Sequence, residues 1–150
     1  MENQTLPEEF KEFLKLLNEH NVEYMLIGGY AVGFYGYPRA TADIDIWVAI
    51  SKVNAAQLTL VFHKFGMQDP SVKPSLFLEK GKIIRMGLPP MRIEVLTEID
   101  GVKFKECYSS GLDVKIDNQE VKLISKEDLL KNKKASGRYK DLDDLENLVD

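Results

Sequence analysis

The chain has 150 residues, 44% hydrophobic and 29% charged, the size and composition of one soluble domain with its own core and no room for a second. Its 24 acidic and 20 basic residues give a net charge of -4, which argues against generic DNA or RNA backbone binding, a mode that draws on surplus Lys and Arg. One cysteine, Cys107, excludes an internal disulfide and, with only two histidines, speaks against structural zinc. The apolar runs at 24–27 and 44–50 are far too short to span a membrane, and residues 1–5 lack a secretory profile, so a reducing, cytoplasmic setting is expected.

Thr5-Leu6-Pro7-Glu8 has the form of a capping box, and Phe10, Phe13, Leu14 and Leu17 follow at helical spacing, predicting an opening amphipathic helix. Residues 24–27 form an apolar run that ends at Gly28-Gly29, as a buried strand entering a tight turn would. A short helix is expected over 31–35 and a loop over 37–41. Ile44, Ile46 and Val48 then alternate with Asp43, Asp45 and Trp47 in the period of a strand. Ser51 caps a predicted helix over 52–65 whose apolar positions are Val53, Ala56, Leu60 and Val61. After a loop over 69–74, residues 82–86 and 91–96 read as strands joined through Gly87-Leu88-Pro89-Pro90, and 102–108 fits helix or strand equally. Residues 114–116 and 120–124 flank a hairpin turn, and Ser125 caps a helix to about Ser136. Beyond Gly137, Leu142, Leu145, Leu148 and Val149 build a last helix. Strands and helices are mixed without repeat or linker, giving a single α/β or α+β domain over 1–150.

Asp43 and Asp45, two apart on a strand, leave the same face with Cα atoms roughly 6.5 Å apart. Two such carboxylates repel each other, and a hard divalent cation relieves the repulsion. Magnesium fits because it takes oxygen ligands and keeps positions open for substrate phosphates. The competing reading is a solvated face of an amphipathic strand. Gly28-Gly29 lets backbone approach phosphate oxygens, although a glycine pair alone is also an ordinary turn. Glu94, between Ile93 and Val95, supplies a third carboxylate if its strand neighbours that of Asp43 and Asp45. Three converging acids suffice to hold one or two magnesium ions and to orient an attacking hydroxyl.

Gly28-Gly29, then Asp43-Ile44-Asp45-Ile46, then Glu94 resemble the signature of the DNA polymerase beta-type nucleotidyltransferase superfamily over nearly the whole chain. Residues 27–32, 39–45 and 134–145 further resemble the small bacterial AbiEii-like branch of abortive-infection and toxin–antitoxin proteins. The resemblance implies the nucleotidyltransferase fold, a twisted mixed β-sheet with helices packed against it. It also implies transfer of a nucleoside monophosphate from a nucleoside triphosphate to a protein, RNA or small-molecule acceptor. Asp43 and Asp45 would bind magnesium, or manganese in its place, and Glu94 would complete the metal site and help activate the nucleophile. Many members carry Ser where this chain has Gly29, and Asp is common where it has Glu94. These departures leave room for a second reading, a weakly active or inactive binding partner in a toxin–antitoxin pair.

Arg39 and Thr41 precede the acids, where the guanidinium could pair with phosphate or with Asp43. Lys134, Arg138 and Lys140 cluster around Gly137, a segment that the resemblance brings to the nucleotide. Lys134 and Arg138 are the nucleotide-binding candidates, while Lys140 reads as charge favoured at a helix end. Asp141, Asp143 and Asp144 read as structural acids opening the last helix. Trp47 could stack on a base or pack in the core, and Cys107 reads as a small buried side chain.

Overall fold

The computed structural model describes residues 4–38, 41–87 and 91–148. Arg39, Val149 and the Leu88-Pro89-Pro90 link lie outside the described residues. Helix α1 (Glu8–Glu19) buries Phe10, Phe13, Leu14 and Leu17, the stripe that the spacing predicts. The capping box does not form: Pro7 occupies the N-cap and no side chain caps the helix. Asp117 of a distant turn instead accepts from the Leu6 N–H at 2.9 Å and pairs with Lys11 at 3.2 Å, so a tertiary contact replaces the local one.

Strand β1 (Tyr24–Ile27) is buried throughout and runs directly into α2 (Gly28–Phe34), which starts three residues earlier than the apolar pattern indicates. Two glycines disfavour helix intrinsically, so nothing local announces this start. Strand β2 (Asp43–Val48) pairs antiparallel with β1, and α3 (Lys52–Lys64) follows, with Ser51 Oγ accepting from the Asn54 N–H at 3.0 Å.

The buried face of α3 is Ala55, Leu58, Val61 and Phe62, not the expected Val53, Ala56 and Leu60. Val53 is 75% and Leu60 46% exposed. The misleading residue is Asn54, polar yet buried. Its side-chain oxygen accepts from the Glu23 N–H at 2.8 Å, and its amide donates to the carbonyls of Glu23 and Ala49. These bonds compensate its desolvation and fix the helix rotation, so that Phe62 meets Phe13 edge to face at 5.8 Å.

A 3₁₀ turn at Pro74–Phe77 ends the expected loop and sets Phe77 against Phe62. Strands β3 (Ile83–Met86) and β4 (Arg92–Leu96) follow, and the ambiguous stretch is a helix, α4 (Phe104–Ser109). Strands β5 (Leu112–Ile116) and β6 (Gln119–Leu123) form the expected hairpin. Asp117 and Asn118 take positive φ (51° and 66°) at its turn, the conformation that matches strand twist and that these short side chains tolerate. Helix α5 (Lys126–Ser136) is capped by Ser125 and ends at Gly137 (φ 66°), after which α6 (Tyr139–Leu148) begins.

Among the described residues six strands form one mixed sheet in the order β3-β4-β2-β1-β6-β5, with β2 parallel to β4 and β1 parallel to β6. The architecture is the mixed α/β one expected from the sequence. No helix among the described residues is long and apolar enough to cross a membrane.

Candidate active site

The parallel register of β2 and β4 sets Asp45 opposite Glu94 and Asp43 opposite Arg92. Paired residues in neighbouring strands share a face, so Asp43, Asp45 and Glu94 stand on one side of the sheet. Ile44, Ile46, Ile93 and Val95 bury the other side. Further along the acid face, Trp47 is covered by Phe104 of α4, with ring centroids 5.1 Å apart, so it packs in the core and does not line the cleft. Beyond α4 the face opens into a cleft of about 630 Å³.

The glycine pair closes one side of this cleft. Gly28 has φ +71°, which favours glycine, and a Cβ on it would overlap Asp45 Oδ2. A Cβ on Gly29 would lie 2.6 Å from Thr41 Oγ1, whose hydroxyl donates to the Asp43 carbonyl at 3.1 Å. The absent side chains let Asp45 and Thr41 approach the start of α2. Across the cleft lie Ile83 and Arg85 of β3, together with Lys133, Ser136, Arg138 and Lys140 from the α5–α6 elbow.

Charge is unevenly balanced within the site. Burial, then the charge and hydrogen bond of Glu94 and the charge of Asp43, push the Asp45 carboxyl up to about 7, with Lys140 opposing. Glu94 Oε2 accepts from Arg85 Nε at 2.9 Å, and Arg92 Nη2 lies 3.5 Å from Asp43 Oδ2. At the elbow, Lys133 Nζ lies 2.9 Å from Asp141 Oδ1 and 3.2 Å from Asp144 Oδ2, all three side chains being buried. Asp141 Oδ2 also accepts from Ser136 Oγ, and from Arg138 Nε at 2.6 Å. The Asp141 bond holds the Arg138 guanidinium still more firmly protonated against its partial burial, and the charges of Asp45 and Asp100 add to this.

The donor set is all carboxylate oxygen, the chemistry that a hard divalent cation selects. Among the described residues, no three His, Cys, Asp or Glu side chains are arranged to hold a metal as they stand. The two carboxylates flanking Asp45 are each turned to a guanidinium.

Gly28, Gly29, Thr41, Asp43, Asp45, Glu94 and Arg138 therefore line one cleft. Lys134 is exposed and is not among the lining residues, whereas Lys133 and Lys140 are. Asp141 and Asp144 are structural, Asp141 in the first turn of α6 as expected, and both are buried partners of Lys133. Sequence reasoning missed Lys133 and Arg85. Nothing distinguishes Lys133 from Lys131 and Lys134 in a basic run. Arg85 carried a usable signal, its place in the strand expected to precede that of Glu94.

A family model described as "Nucleotidyl transferase of unknown function (DUF2204)" matches residues 7–150. No curated protein sequence matches the chain. Among solved structures, a candidate nucleotidyltransferase from Thermotoga maritima is 13% identical with a TM-score of 0.60, over 97% of this chain and 95% of that one. An antigenic nucleotidyltransferase-like protein from Paracoccidioides brasiliensis is 20% identical with a TM-score of 0.55, over 97% and 76%. The lincosamide antibiotic adenylyltransferase LnuA, with lincomycin bound, is 17% identical with a TM-score of 0.55, over 97% and 98%. These likenesses establish a shared fold.

Proposed function

The chain belongs to this nucleotidyl transferase family, and on that premise we propose that it transfers a nucleoside monophosphate from a nucleoside triphosphate to an acceptor hydroxyl. The observation that carries the reading is the register of Asp45 with Glu94 beside a glycine pair whose missing side chains make room for the acid. Asp43, Asp45 and Glu94 would hold magnesium or manganese. The ion would offset charge developing on the transferred phosphoryl group.

Gly28 and Gly29 line the cleft and let Asp45 and Thr41 close against the start of α2, while Arg138 and Lys140 would supply charge to the phosphates across the cleft. The acceptor oxygen bonds to the α-phosphorus as the bond from that phosphorus to the bridging oxygen breaks, and pyrophosphate leaves. Glu94 receives the hydroxyl proton. Placing Asp43, Asp45 and Glu94 on two adjacent strands sets the spacing of their backbones before substrate arrives, which is where positioning gains rate. A small acceptor fits a chain of this size, since the fold neighbour LnuA, an antibiotic adenylyltransferase, is covered to 98%.

The test is incubation with each α-labelled nucleoside triphosphate, magnesium and candidate acceptors, beside Asp45→Asn. Label transfer by the wild type that is lost in the variant is expected. No transfer, together with no nucleotide-induced thermal shift at millimolar ligand, would overturn the reading.

A binding role with little turnover is the second reading, and the form the resemblance gives it is one half of an AbiEii-like toxin–antitoxin pair. It is favoured by the arginines that engage Glu94 and Asp43. A stable complex with the product of the neighbouring gene, unaffected by Asp43→Ala, would support it.

A further inference from the structure

Arg85 is the cross-strand partner of Glu94 in the antiparallel β3–β4 register, so its guanidinium stands over the acid face. Its Nε donates to Glu94 Oε2 at 2.9 Å, and the two side chains are 53% and 16% exposed. On its other side Glu94 faces Asp45. Glu94 is therefore shared between a half-exposed cation and a carboxylate, and among the described residues the three acids form no ready cage.

Arg85 is suited to let go. It sits on the outermost strand of the sheet and half in solvent, where an ion pair shifts an equilibrium only a few-fold. A guanidinium keeps its charge at any working pH, so once released from Glu94 it stays cationic and is free to meet another anion in the cleft. The same cleft would receive the triphosphate, whose oxygens match the guanidinium fork.

We propose that Arg85 exchanges partners, neutralising Glu94 before cation arrives, yielding it to a divalent cation, and turning to the triphosphate. This inference rests on the nucleotidyl-transfer reading above. It gives Arg85 opposite effects on two binding steps: it opposes cation alone and favours the phosphate-loaded state. A residue that merely braces the edge strand would change stability and move neither affinity in this pattern.

The experiment measures Mn²⁺ binding by paramagnetic resonance, and binding of inorganic tripolyphosphate with Mg²⁺ by calorimetry. The proteins are the wild type, Arg85→Gln, Arg85→Lys and Asp45→Asn, each checked for fold by circular dichroism. Arg85→Gln is expected to bind Mn²⁺ about two-fold to five-fold more tightly than the wild type and Mg²⁺-tripolyphosphate about two-fold to five-fold more weakly. Arg85→Lys should fall between on both. Unchanged or weaker Mn²⁺ binding in folded Arg85→Gln, or undiminished tripolyphosphate binding, overturns the exchange while leaving the transferase reading intact. A wild type that binds no Mn²⁺, or an Asp45→Asn protein that binds it equally well, overturns the metal reading and the exchange together.

Discussion

Lys133 Nζ donates to Asp141 Oδ1 at 2.9 Å with both side chains buried, so the hinge between α5 and α6 is closed by a desolvated ion pair. Asp144 and Ser136 complete its bonding. Burial pushes the Asp141 carboxyl up, but hydrogen bonds from Arg138, Ser136 and Lys133 together outweigh it and hold the group at about 2, against an ordinary 3.8. A carboxyl depressed on folding stabilises above its unfolded value and loses that contribution as pH falls through its folded one. Urea melts should therefore show roughly 2 kcal/mol lost between about pH 4 and pH 2. Asp141→Asn should lack this acid limb and be weaker at pH 7 by about 3–5 kcal/mol, since it leaves Lys133 under-compensated. Superimposable acid limbs in the two proteins would contradict this pairing.

The same cluster marks the boundary of what the sequence makes legible. Strands β2 and β4 and the acid positions are readable because period-two alternation is local and the sheet enforces it, and β1 because its fully buried apolar run breaks at two glycines. The ion-pair partners are harder to read: Arg85 reaches Glu94 through cross-strand register, for which only its place in the preceding strand gives a signal, and the Lys133 that pairs with Asp141 and Asp144 is chosen from a lysine run by helix rotation. Thr5 shows the converse, a good local capping signal displaced by a contact from Asp117, more than a hundred residues away. For α3 a single buried, fully bonded Asn54 reverses the apparent face.

That reversal has a simple mutational signature. Leu58 is fully buried, whereas Leu60, two positions on, is 46% exposed. Leu58→Ala should cost about 2–5 kcal/mol through lost burial and the cavity left behind. Leu60→Ala should stay within about 0.5 kcal/mol. Equal losses in denaturant melts would mean that the helix sits in another rotation.

Gly28 separates backbone strain from crowding of the site. Its φ of +71° resists any side chain, and a Cβ would also overlap the Asp45 carboxylate. Gly36 offers the control, having φ +111° and, among the described residues, nothing within 4 Å of an added Cβ. Both alanine variants should lose about 1–2 kcal/mol in stability from strain. Only Gly28→Ala should also lose Mn²⁺ affinity, by at least about ten-fold, because Asp45 must move to admit the methyl group. Matching metal affinities in the two variants would show that the glycine serves the turn alone.

Asp45 has the opposite titration behaviour to Asp141, and the sign of its effect follows. Burial first, and the neighbouring Glu94 and Asp43 second, raise it from 3.8 to about 7. A carboxyl raised on folding contributes its stability in full below its unfolded value and loses it as pH climbs through its folded one. The metal-free wild type should therefore weaken steadily from about pH 4 to pH 8. Asp45→Asn keeps the shape without the charge, so it should be more stable than the wild type at pH 8, by about 2–4 kcal/mol, with the gap closing toward pH 4. The site would then be one where function is held at the expense of stability, since the charge that destabilises the empty cleft is the charge a cation needs. Saturating magnesium should reverse the ranking at pH 8 by stabilising the wild type alone. A stability difference that stays flat from pH 5 to pH 8 would contradict the crowding of Asp45 against Glu94.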